Sequence, residues 1–133
     1  MLCLDSHVVG PWVCQRAGGN WVEGSGAAIG WVSKGRLVAG VLYCEWNGAN
    51  VICHMAGEGN FLTRKYLYTI FDYPFNQLKV KRVTLPIAST NKKAIRFVKH
   101  LGFTLESTLQ DAHPNGDLLL FKMHKADCRW LGD

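Results

Sequence analysis

No apolar run in this chain approaches the roughly 18 residues that a membrane-spanning helix needs. The opening stretch "MLCLDSHVVG" lacks the basic start and the long apolar run of a secretory leader, so the expected location is cytoplasmic. Cysteines are few and ill-spaced for a scaffold. There are five, Cys3, Cys14, Cys44, Cys53 and Cys128, an odd number with no C-x-x-C. That excludes a disulfide framework and a Cys-rich zinc site, and reduced, buried thiols are the reading that remains; no metal is expected. Charge is also scarce, at 19% of residues against 48% apolar, which excludes a disordered chain and leaves enough material for a core. Repeats and low-complexity segments are absent. The length of 133 residues suits one domain spanning 1–133.

What charge there is leans positive, to a net +5. Lys79, Lys81 and Arg82 form one cluster, and Lys92, Lys93, Arg96 and Lys99 another. Such a surface suits a nucleic acid or a small anionic ligand. No aromatic-interleaved RNA motif, helix-turn-helix signature or zinc finger accompanies it, so charge is the nucleic-acid reading's only support.

The order of elements follows from periodicity and turn residues. "VVGPWVCQRA" (8–17) reads as a short helix with Pro11 in its first turn, followed by a Gly-rich loop, "RAGGNWVEGSG" (16–26). "AAIGWVS" and "LVAGVLYCEW" flank the turn "KGR"; "NGAN" (47–50) is a second turn and "VICHMA" (51–56) a third strand, giving an antiparallel meander. Over 60–74 the period changes to helical, with Leu62, Tyr66, Leu67, Ile70 and Phe71 on one face, Asn60 as cap and Pro74 as stop. "KRVTLPIA" (81–88) returns to a strand. "NKKAIRFVKHLGF" (91–103) reads as a helix with Asn91 before it and Gly102 after it. "FTLESTLQ" and "LLLFKMHK" close the chain as two strands joined through "HPNGD". The sum is an α/β (α+β) domain on a mixed sheet, in which the unit 51–88 makes a parallel pair through a right-handed crossover.

Two places in this order suggest a ligand. At "MAGEGNFLTR" (55–64) a strand runs into two glycines and a helix start, an arrangement that presents backbone N–H groups to an anion. Arg64 and Lys65 then sit where the helix dipole disfavours cations, so they read either as solvated surface charge or as part of a phosphate cradle. Pro86 lies in a strand that should need its ladder. Either the strand is an edge or bulged, or a gap separates it from 51–56 and leaves backbone for an extended ligand.

These residues resemble the GNAT superfamily of acetyl-CoA-dependent N-acetyltransferases. "NKKAIRFVKHLGF" is similar to its N-x-x-A/S-x-x-x-x-x-x-L-G-F motif, and "FTLESTLQDAHPNGDLLLFKM", with Glu106 and the Gly116 turn, resembles the continuation in the ribosomal-protein alanine acetyltransferase-like branch. "YLYTIFDYPFNQLKVKRVTLPI" looks like the central helix and the strand after it, so the likeness covers roughly residues 35–125. The general look is also that of small phage-type acetyltransferases.

The resemblance implies a GNAT-like mixed, splayed central sheet flanked by helices, with the pantetheine arm of acetyl-CoA in the gap. It implies that Met55 and Ala56 offer backbone groups to that arm, that Asn60, Phe61, Leu62, Thr63 and Arg64 cradle the pyrophosphate, that Asn91 hydrogen-bonds the arm and that Phe97 packs near it. The acceptor would be an amine, on a protein N-terminus or a small molecule; a polyamine finds no acidic cluster here. His54 stands in the strand that would flank the acetyl group and is either a general base or a packed side chain; Glu45 and Glu58 are the other candidates.

The chain departs from the family pattern twice. "GNFLTR" lacks the loop glycines of R/Q-x-x-G-x-G/A, and Val98 stands where many relatives carry an acidic Tyr. The departures keep a rival in view, a catalytically weak or inactive GNAT-fold binding module. The first 30 residues are shorter than the family's usual acceptor-binding part, which leaves an acceptor site that is open or completed by a partner subunit in a homodimer.

Overall fold

The computed structural model describes residues 1–58 and 61–132. Its strands are β1 (Leu2–Cys3), β2 (Gly26–Ser33), β3 (Arg36–Cys44), β4 (Asn50–Gly57), β5 (Arg82–Ala88), β6 (Thr104–His113) and β7 (Gly116–His124). Its helices are α1 (Ser6–Ala17), α2 (Arg64–Asp72) and α3 (Lys92–Leu101). The described strands form one sheet in the order β1-β2-β3-β4-β5-β7-β6. All neighbours are antiparallel except β4 and β5, which run parallel as the sequence predicts.

The parallel pair carries the main feature of the fold. β4 and β5 are in register only over Asn50↔Arg82, Val51↔Val83 and Ile52↔Thr84, and then diverge. The far half of β4, from Cys53 to Gly57, keeps β3 as its partner, and the far half of β5 keeps β7. Pro86 sits in that diverged half, paired with Leu120 of β7. Of the two readings of this proline, the gap is the one realised: β4 has already left, so the missing N–H costs it nothing. At the closed end the strands are pinned by side chains. Arg82 donates to Thr84 Oγ1 at 3.1 Å, and the Thr84 hydroxyl donates to Asn50 Oδ1 at 2.7 Å. Arg82 also forks onto Glu106, at 3.0 and 2.7 Å.

Two apolar clusters lie on opposite faces of the sheet. The larger joins Val51 and Cys53 of β4 and Val83, Leu85 and Ile87 of β5 to Tyr66, Leu67, Ile70 and Phe71 of α2 and Val98 and Leu101 of α3. Buried Tyr66 and Tyr43 resolve their hydroxyls by donating to the carbonyls of Ile29 and Ile70, at 3.0 and 2.6 Å, which ties α2 to β2 and β3. The smaller cluster is α1 on the other face, with Val9 and Val13 fully buried against Ala28 and Leu42.

Helix ends differ from the sequence expectation in two places. α1 begins at Ser6, because Asp5 caps it by accepting from the His7 N–H at 3.1 Å. Pro11 therefore lies in its interior rather than its first turn; both Pro11 and His7, whose carbonyl loses the bond, are exposed to water. The cap of α2 is Thr63, which accepts from the Tyr66 N–H at 3.2 Å; Asn60, expected in that role, lies outside the described residues. Near Pro74 α2 ends as expected, at Asp72 with Tyr73 as its C-cap, and the coil continues as a π-helical segment, Tyr73–Gln77, with Pro74 in its first turn. For α3 the sequence expectation holds. Asn91 Oδ1 accepts from the Ala94 N–H at 3.2 Å, and Gly102 ends the helix at φ 113°, a left-handed conformation costly for other residues. The chain's last turns also serve α3, since Trp130 Nε1 donates to the Leu101 carbonyl at 2.7 Å and Arg129 donates to that of His100.

Candidate active site

The diverged strands open onto two adjoining cavities. One, of about 490 Å³, is lined by His54 and Met55 of β4, Pro86 of β5, Asn91 of the α3 cap, Arg16 of α1 and His113 of β6. The other, of about 350 Å³, is lined by Ala56 and Gly57 at the end of β4, by Glu58 just past it, by Phe61 and Leu62, and by Lys93 of α3. Arg16, Met55, Asn91, Ala94 and Phe97 line both, so the two form one continuous cleft.

Each wall follows from local sequence. Alternation along β4 sends Val51 and Cys53 into the larger core and His54 to the opposite face, where its β3 partner Leu42 packs under α1. Burial lowers the His54 pKa below its ordinary value by disfavouring the charged ring, so the imidazole is neutral at pH 7. Asn91 commits its Oδ1 to the cap, which leaves its amide NH₂ as a donor at the cleft. Phe97 meets Phe61 edge-on, with ring centroids 5.5 Å apart. Gly57 is where β4 passes this pair: a Cβ there would lie 2.5 Å from the Phe61 ring. Its role is close approach within β4; Gly59, the other glycine of the turn that the sequence suggests, lies outside the described residues.

Beyond the cleft, the first intrahelical bond of α2 runs from the Leu67 N–H to the Thr63 carbonyl, so the N–H groups of Arg64 and Lys65 precede the helical ladder. Arg64 and Lys65 line a third cavity, of about 550 Å³, together with Arg129 and Trp130 from the end of the chain. Three cations around one hollow suit an anion.

The structure thus brings His54, Met55, Ala56, Phe61, Leu62, Asn91 and Phe97 into the cleft, and Arg64 beside its outer end. Thr63 joins them through the α2 cap, and Asn60 lies outside the described residues. Glu45 is not brought in. It is exposed past the end of β3 and lines none of these cavities. Leu42 is the residue opposite His54, and Glu45 lies three positions further along, past the end of β3, with a left-handed φ of 56°. Glu58 lines the cleft but faces Arg16 at 3.7 Å and Arg36 at 3.4 Å. Val98 is 2% exposed and apolar, so that position holds no proton donor. Sequence reasoning missed Arg16 and His113, which reach the cleft only through tertiary folding. The one signal for Arg16 was a cation in a last helical turn just ahead of Gly18 and Gly19.

No family model matches the sequence, and no curated protein matches it. Solved structures do. The fold is similar to mutant forms of the spermidine/spermine N-acetyltransferase SpeG from Vibrio cholerae, with a TM-score of 0.73 over 98% of this chain and 98% of that one, at 15% identity. It is similar to a variant of the V. cholerae spermidine N-acetyltransferase SpeG, with a TM-score of 0.68 over 83% of this chain and 70% of that one, at 17% identity. A probable acetyltransferase superposes with a TM-score of 0.66 over 78% of this chain and 63% of that one, at 18% identity. The likeness is one of fold, an α/β architecture on a splayed mixed sheet shared with these acetyltransferases. Among the described residues no helix is long and apolar enough to cross a membrane, and no group of three or more His, Cys, Asp or Glu is placed to hold a metal ion.

Proposed function

We propose that this chain is an acetyl-CoA-dependent N-acetyltransferase that passes an acetyl group to a primary amine by direct attack. The observation that carries the reading is the divergence of β4 from β5 after Ile52 and Thr84, with a continuous cleft through the opening. The residues present fit the cofactor. The unpaired edges of β4 and β5 offer main-chain donors and acceptors to an amide-bearing arm, as Met55 and Ala56 would do for pantetheine. The free amide of Asn91 points the same way, and the Phe61–Phe97 pair gives the arm an apolar wall. Phe61, Leu62, Thr63 and Arg64, with Asn60, would hold the pyrophosphate at the start of α2, where dipole and cations both favour anions.

When bound, acetyl-CoA supplies an activated thioester. The chain's own part is to position the amine and take its proton. His54 is our candidate for that role, supported by its neutral imidazole at pH 7 and its position on the cleft face of β4. It matches an α-amine, whose pKa is near 8, better than an ε-amine near 10.4. Orientation and strand-edge donors contribute the rest.

The test is calorimetric titration of acetyl-CoA into the folded protein, followed by a screen of amines for transfer. Micromolar binding weakened by Arg64→Ala and Asn91→Ala supports the reading. A folded protein that does not bind acetyl-CoA overturns it.

A further inference from the structure

We infer that the acceptor is an amine bearing an anionic group, a carboxylate or a phosphate, and not a polyamine; the inference rests on the transferase reading above. The cavity around His54, about 490 Å³, counts Arg16, His54 and His113 among its lining residues and, among the described residues, no carboxylate. The nearest acidic group on the cleft, Glu58, is held between Arg16 and Arg36. A polyamine brings only cations and donors, and it would meet a guanidinium and a desolvated imidazole with nothing to neutralise it.

The hydrogen-bond commitments of the lining side chains point the same way. His113 Nδ1 accepts from the Asn115 N–H at 3.1 Å, which puts the ring hydrogen of the neutral form on Nε2. Arg16 can only donate. Its guanidinium lies 3.9 Å from the Trp12 ring centroid and one of its nitrogens donates to the Trp12 carbonyl, so the side chain is held at the cleft rather than free in solvent. A last-turn arginine suits the α1 dipole, but that accounts for the charge and not for its place in both cavities. The acceptors the cleft does offer are the main-chain carbonyls of the diverged strand edges, which suit one ammonium or amine. The site therefore pairs an amine end, near His54 and the strand edges, with an anion end toward Arg16 and His113.

The experiment compares initial rates with acetyl-CoA and four amines: β-alanine, phosphoethanolamine, butylamine and spermidine. The expected result is kcat/KM for one of the two anionic amines at least about tenfold above both butylamine and spermidine. Arg16→Gln and His113→Gln should each erode that advantage, Arg16→Gln by on the order of 10- to 100-fold, through KM and not kcat. The readout is the ratio of anionic-amine to butylamine kcat/KM within each variant, since both residues line the shared cleft. Acetyl-CoA binding with spermidine preferred, or with transfer to no anionic amine, overturns this inference and leaves the cofactor reading standing. Weakened acetyl-CoA binding by Arg16→Gln, with amine ranking unchanged, assigns Arg16 to the cofactor and also overturns it. Failure to bind acetyl-CoA overturns both readings. The wild-type ranking decides the matter if either variant fails to fold.

Discussion

The cap that Asn91 provides and the ligand contact proposed for it can be separated by substitution, because they use different atoms. Oδ1 caps α3 by accepting the Ala94 N–H at 3.2 Å, and the amide NH₂ is left for a ligand. Asn91→Ala removes both. Asn91→Asp keeps the acceptor and deletes the donor, and it adds a negative charge at a helix start that has no acidic residue in its first turn and carries Lys92 and Lys93. Loss of the cap in the Ala variant should cost about 1 kcal/mol, which for a domain of this size lowers Tm by roughly 3–5 °C. The Asp variant should equal or exceed the wild type in stability by a few tenths of a kcal/mol, about what a favourable dipole interaction gives. Binding should follow the other order. The lost donor costs either variant about 1 kcal/mol, or roughly fivefold in acetyl-CoA affinity. Asp should lose more than Ala, since its carboxylate turns an acceptor toward whatever carbonyl the amide served. Thermal melts beside calorimetric titrations give both orders. If Asn91→Asp binds acetyl-CoA as tightly as the wild type, Asn91 is a cap alone and its place in the cofactor site is refuted.

Three further outcomes follow from the same geometry. The lowered His54 pKa means that on acidification the unfolded chain takes up a proton at its ordinary value, about 6.5, before the folded protein does. Stability should therefore fall as pH drops from about 6.5 through the lower folded value, and His54→Gln should flatten that segment of a urea-denaturation series; a base role further requires an acid limb in kcat/KM centred below about 6.5 that the variant abolishes. Gly40→Ala places a Cβ 2.6 Å from Val13 Cγ2 and 2.9 Å from Val9 Cγ1, under the fully buried face of α1. It should destabilise by about 1–3 kcal/mol, lowering the urea midpoint at unchanged slope. Thr84→Val removes the hydroxyl that accepts from Arg82 and donates to Asn50 Oδ1 at the closed end of the divergence. It should cost about 1–2 kcal/mol in the same assay, with hydrogen exchange rising first in the paired segment of β4.

How much of this was legible in the sequence depends on whether a feature is written locally. The α3 helix was, because cap, apolar stripe and terminal glycine fall within Asn91–Gly102 and each is used as its chemistry suggests. So was the divergence of the sheet, through a proline that no doubly paired strand would keep, although Pro86 alone left an edge strand equally open. The two-residue β1 was not, since Leu2 and Cys3 form a strand only because Trp31 and Gly30 of β2 offer an edge to pair with. Nor was the true length of α1, where Asp5 and Ser6 precede the apolar residues and Gly10 and Pro11 interrupt the pattern; the helix is held by docking on β2 and β3 more than by its own propensity. The cleft shows the same division. His54, Met55 and Asn91 belong to segments whose strand or helix could be read, and the structure brings them together. Arg16 and His113 come from a helix end and a hairpin far apart in the chain, and only tertiary folding gives them a common wall. The residues on which acceptor choice turns are thus the ones with the weakest local signal. On the acceptor reading above, specificity rests on Arg16 and His113, so it could not be read from the local patterns that give the His54–Asn91 frame.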